Sequence, residues 1–235
     1  MPPSAPYQPL LLRILHGISG ILVITAIITG FLVYNSFDQR FGGIPIPKID
    51  PIQDIHGTVG LCFLVLLPAF ALYSFHAGRQ RLLQPDSIQK LTQVGKPIWW
   101  VSLQRLVNTG MLIASVLAVI SGRMMKEEWL PVGELDHLWY YFHLIAWVIM
   151  LCSLAIHLLM SAKVGGAPLL LSMLSWKLRT QDSPRNWYGN LRNWLSNFSE
   201  NLSAESNFTL RIIEIVVLLG IITAFLLPLF FSGGE

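Results

Sequence analysis

Six histidines, at 16, 56, 76, 137, 143 and 157, are the residues of this 235-residue chain best suited to chemistry, and only two cysteines, Cys62 and Cys152, accompany them. An imidazole can carry a proton or ligate a metal, and two neutral imidazoles facing each other form the ligand set of a low-spin b-type haem. His143 and His157 lie fourteen residues apart in one apolar stretch. At 100° per residue the rotation is within about 40° of whole turns, so both project from one helix face, ~21 Å apart along its axis. One helix therefore offers a ligand at two depths, and the second ligand at each depth must come from a neighbouring helix.

The elements that position these residues are membrane spans. The chain is 53% hydrophobic and 12% charged, with a mean hydropathy of +0.56, whereas soluble domains carry about 25% charged residues. With His set aside, residues 14–37, 55–78, 106–122, 137–162 and 215–234 hold no ionisable group. A bilayer core needs ~20 apolar residues per helix, and the third stretch is completed upstream by Ile98, Trp99, Trp100 and Val101. The expectation is an all-α integral membrane protein, a four-helix transmembrane bundle with a fifth, C-terminal transmembrane helix. Its parts are 1–163 (the bundle), 164–209 (an interfacial amphipathic segment) and 210–235 (the last helix). The amino terminus lacks a basic n-region, so the first span is expected to stay in the protein. Cys62 and Cys152 read as small core residues, and no C-x-x-C-H is present to tether a c-type haem.

Twelve of the sixteen Lys and Arg residues fall at the amino terminus or in the second and fourth connections. By the positive-inside rule these face the cytoplasm and the carboxyl terminus lies outside. In the fourth connection Trp176, Trp187 and Trp194 interleave with Lys177, Arg179, Arg185 and Arg192. That pattern suits a helix at the lipid headgroups rather than a nucleic-acid surface. Asn197, Asn201 and Asn207 each open an N-x-S/T triplet, but on a cytoplasmic loop they are assigned no function.

Depth pairs the four intramembrane histidines. The first span runs inside to outside, which sets His16 level with His157; the second runs back, which sets His56 level with His143. Each of His16 and His56 opens an H-G-x-x-G pattern, with Gly20 and Gly60 one turn on and on the same face, leaving room for a porphyrin edge. Glycine at this spacing also lets helices pack closely. Ionisable residues in membrane spans usually have a function, and four at two matched depths point to two bis-imidazole sites, with His16, His56, His143 and His157 as the iron ligands. His76 and His137 read as interfacial residues, and the methionines as packing. Two other readings stay open from the residues alone: a His-based proton or metal transporter, and a membrane anchor for a partner complex. Against transport, the first four spans contain no Asp or Glu.

These features resemble a known family: the di-haem cytochrome b subunits of respiratory formate dehydrogenases and nickel-iron hydrogenases, and the small bacterial cytochrome b561. The resemblance covers residues 10 to 192. It is carried by Leu15-His16, Ile55-His56-Gly57, Gln104-Arg105-Leu106, Ser121-Gly122, the His143/His157 pair and the run Ser183 to Tyr188. It implies a four-helix bundle with two non-covalent b haems, His56/His143 on the outer one and His16/His157 on the inner. It also implies a separate dehydrogenase or hydrogenase-type partner and a quinone beside the inner haem. In formate dehydrogenase that quinone lies near the second His of the fourth helix and an Asn just before the third. Aligned at Gln104-Arg105, this chain has Val101 at the Asn position, so Gln104 or Arg105 is the donor expected to meet a quinone carbonyl. The function expected is transmembrane electron transfer between a redox partner and quinone, by a subunit that need not make or break bonds itself. No nucleotide, flavin or iron-sulfur motif is present in the sequence.

Overall fold

The computed structural model describes residues 7–175, 177–197 and 208–231. Trp176, the triplet at Asn201, most of that at Asn197, Asn207 itself, and the terminal Ser232, Gly233 and Gly234 lie outside the described residues. Five helices are long and apolar enough to cross a membrane: α1 (Leu10–Phe37), α2 (Ile52–His76), α4 (Pro97–Met124), α6 (Leu138–Ser172) and α8 (Phe208–Phe231). Short helices α3 (Ser87–Lys90) and α5 (Trp129–Val132) lie in the connections, and α7 (Trp187–Ser196) precedes α8. A helix satisfies its backbone hydrogen bonds within one segment, which is what lipid demands.

The helix limits differ from the charge-free stretches for identifiable reasons. Pro97 starts α4 at its first position, where its missing N–H costs nothing, and α4 carries Arg105 within it. The stretch ending at Ser161-Ala162 continues as helix through Lys163, a good helix former whose ammonium lies over the Trp100 ring, 5.4 Å from its centroid. The chain bends instead at Gly166, whose φ of 62° and ψ of −167° break the helical geometry just before Pro168. That left-handed conformation favours glycine.

Successive spans run antiparallel. The end of the bundle that holds the start of α1 is termed the lower end. There the connection after α2 is drawn under α4: Leu83 N–H donates to Thr109 Oγ1 at 2.9 Å, and Asn108 Nδ2 donates to the Arg81 carbonyl at 2.9 Å. At the upper end Asp38 accepts from Arg40 Nε and from the Tyr140 hydroxyl, both at 2.7 Å. Beside it the Tyr141 hydroxyl, then Arg40, hold the exposed Asp136 carboxyl below the usual carboxylate range.

The fifth span is part of the bundle. α8 lies against α2 and α4, where Val217, Ile221 and Ala224 join Leu67, Ala71 and Val116 in one buried cluster. Gly220 permits the approach, since a Cβ there would sit 2.2 Å from Val116 Cγ1. Large apolar residues such as Ile21 and Val65 face outward, as lipid contact requires.

Candidate functional site

Three helices, α1, α2 and α6, bring the four intramembrane histidines together in two pairs. His16 of α1 and His157 of α6 face each other at the lower level, ring centroids 6.0 Å apart and planes inclined at 35°. His56 of α2 and His143 of α6 do so at the upper level, 5.9 Å apart and 82° inclined.

In three of the four rings Nδ1 is held by the protein. Thr29 Oγ1 lies 2.9 Å from His56 Nδ1 and spends its only proton on the Thr25 carbonyl at 2.8 Å. It must therefore accept from the imidazole. Ser121 Oγ lies 3.0 Å from His143 Nδ1 and donates to the Leu117 carbonyl at 2.6 Å, while the Ala118 carbonyl adds a second acceptor at 3.1 Å. Asn108 Oδ1 accepts from His157 Nδ1 at 2.8 Å, its amide nitrogen being engaged with Arg81. The network thus assigns the proton of these rings to Nδ1 and leaves the Nε2 lone pair free, the tautomer a metal-binding imidazole needs.

Small residues clear the space. A Cβ on Gly30 would come 3.1 Å from His56 Cε1, and one on Gly122 would come 3.2 Å from His143 Cε1. Trp147 closes the wall by donating to the Ile27 carbonyl at 3.0 Å. Gly20 and Gly60 face open space, with nothing within 4 Å of a Cβ built there. Around the upper pair is a cavity of about 1000 Å³ lined by His56, Gly57, Gly60, Gly122, His143 and Trp147, among others. This is the top of the ~300–1,000 Å³ range of ligand pockets.

The donor set suits a haem. Ring centroids 6.0 and 5.9 Å apart would leave room for one metal ion between the two imidazoles of each pair, which would be its ligands. The open glycine faces and the cavity give a planar macrocycle its room.

Gln104 and Arg105 stand side by side in sequence but meet different neighbours. Gln104 Nε2 donates to Ser161 Oγ on α6 at 3.2 Å, whereas Arg105 Nε donates to the Gln80 carbonyl at 3.1 Å. The asparagine that reaches the lower pair is Asn108, two turns beyond Val101. His76 lies 3.0 Å from Glu214 of α8 and against the Trp194 ring. His137 stacks on Trp129 with centroids 3.7 Å apart. Neither belongs to a facing imidazole pair. Sequence reasoning missed Thr29 and Asn108, and it named Ser121 and Gly122 only as part of the family resemblance, without the hold of Ser121 on His143 or the clearing role of Gly30 and Gly122. The available signal was a polar side chain buried in each span near the depth of a histidine.

A membrane-spanning helical bundle with imidazoles facing across its interior defines an integral membrane cytochrome of the b type. The family model for prokaryotic cytochrome b561 matches residues 7–176, and the chain belongs to that family. No curated protein and no solved structure matches the chain. Membership makes it a haem b protein of transmembrane electron transfer.

Proposed function

We propose that the chain carries electrons across the membrane through two haem b groups, one held by His16 and His157 and one by His56 and His143. The observation that carries this reading is the pair of 6.0 and 5.9 Å centroid separations, at two levels ~21 Å apart along α6. Haem b supplies the one-electron carrier when bound. The protein's part is to present four Nε2 lone pairs, fix three rings through Thr29, Asn108 and Ser121, and exclude water with apolar walls.

The basic lower end faces the cytoplasm in this reading. A quinone exchanges electrons there, where Gln104, Ser161, Asn108 and His157 place polar groups at membrane depth, and a separate redox protein meets the upper end. A pyridine haemochrome assay tests the haem number: two per chain supports the reading and one or none contradicts it. For the quinone, reduction of the lower haem by a quinol analogue is compared in wild type, Gln104→Ala and Arg105→Ala. Gln104→Ala is expected to slow it. Wild-type rates in both variants would remove the quinone from this position and leave a protein partner as the acceptor.

A further inference from the structure

Arg13 is a buried cation without an anion. It is only 7% exposed, its Nε is fully buried with no hydrogen-bond partner, and its Nη2 donates to the Lys177 carbonyl at 2.8 Å. Around it the charge is mainly positive. Tyr7 lies under the Arg13 guanidinium at 5.6 Å and under that of Arg179 at 4.1 Å. Arg81, whose carbonyl accepts from the Asn108 that also holds His157, donates to Gln8 Oε1 at 2.7 Å. Among the described residues, no ion pair includes Arg13, Arg81, Lys177 or Arg179. Asp182, an acidic residue of the same connection as Lys177 and Arg179, takes part in none of these ion pairs either.

A desolvated guanidinium without a counter-charge is costly, and a planar fork of N–H donors matches an anion that offers two oxygens. Arg13 lies three residues before His16, on the adjoining stripe of α1 and one turn nearer the lower end. We infer that Arg13, with Arg81, forms a binding site for an anionic oxygen group directly below the lower imidazole pair, and that its occupant is a carboxylate of the porphyrin held there. This rests on the reading that His16 and His157 hold a haem. Burial favours the porphyrin carboxylate, because a lipid phosphate would have to reach a side chain that is withdrawn from the surface.

The test uses the holoprotein in nanodiscs of phosphatidylcholine alone or with phosphatidylglycerol, the lower haem being the redox component missing in His16→Ala. Resonance Raman spectra and potentiometric titrations are recorded for wild type, Arg13→Gln, Arg13→Lys and Arg81→Gln. Arg13→Gln is expected to shift the propionate-bending band of the lower haem and to lower its midpoint by about a tenfold change in oxidised-to-reduced ratio, ~59 mV for one electron. The effect should be the same in both lipids, with the upper haem unchanged, and Arg13→Lys should recover most of the midpoint. Arg81→Gln should act in the same direction, which keeps the test open if Arg13→Gln does not fold. A wild-type midpoint that moves with phosphatidylglycerol, and ceases to do so in Arg13→Gln, would give the site to lipid phosphate and overturn the carboxylate. Unchanged bands and midpoints in variants that keep both haems would overturn the site. Wild type without a haem at His16 would instead overturn the reading beneath it.

Discussion

Each histidine is useful only if its ring is held in one orientation, and the hydroxyls that hold the upper pair differ in how replaceable they are. Thr29 is the one Nδ1 acceptor of His56, whereas His143 has both Ser121 and the Ala118 carbonyl. Loss of such an acceptor costs ~10–100-fold in metal affinity, so Thr29→Val is expected to weaken haem retention about tenfold and Ser121→Ala by less. Both should raise the upper midpoint, because an imidazole that no longer shares its N–H donates less charge to oxidised iron. Retention times and potentiometry check this, and equal effects in the two variants would contradict the ranking. The four ligands were legible in the sequence because an ionisable group inside an apolar span stands out. Thr29, Asn108 and Ser121 were not. Ser and Thr within helices commonly bond a carbonyl four residues back, as these two do, and no local spacing tells which of them also meets an imidazole from another helix.

The helices set the ring planes, and at the element scale the two sites are unlike. The upper rings are nearly perpendicular at 82° and the lower closer to parallel at 35°. If each pair held a haem iron with its rings inclined as they stand, the two irons would have different ligand surroundings, so electron paramagnetic resonance of the oxidised protein should show two distinct low-spin signals, one of them lost in His56→Ala. A single type of signal would contradict the difference in geometry. Gly30→Leu and Gly122→Leu fill the space in which the His56 and His143 rings stand. Each is expected to remove the upper haem and spare the lower, which difference spectra would show. The spans and their order were readable from hydropathy alone. The bend at Gly166 was hidden because the charge-free stretch ends at Lys163, while the helix runs on past that lysine.

In the whole molecule, α1, α2 and α6 carry the imidazole pairs, α4 supplies Asn108 and Ser121 to hold two of the rings, and the fifth span buttresses α2 and α4. Gly220→Leu is expected to disturb this packing, since even its Cβ would overlap Val116. Overpacking of this kind costs ~1–3 kcal/mol, seen as a lower thermal midpoint with both haem spectra intact while the protein is folded. Haem loss at once with the substitution would show that α8 shapes the sites directly. Sequence reasoning could place α8 as a span but not seat it, because its pairing with α2 and α4 depends on small residues whose partners lie far away in the chain. The central claim is two haems at two levels, each shared by α6 and one other helix. Its most direct measurement is a potentiometric haem titration of the wild type beside His16→Ala, His56→Ala, His143→Ala and His157→Ala. The account predicts two one-electron components in the wild type, one missing from both His16→Ala and His157→Ala and the other from both His56→Ala and His143→Ala. A single component in the wild type, or the same component missing from His16→Ala and His56→Ala, would contradict it.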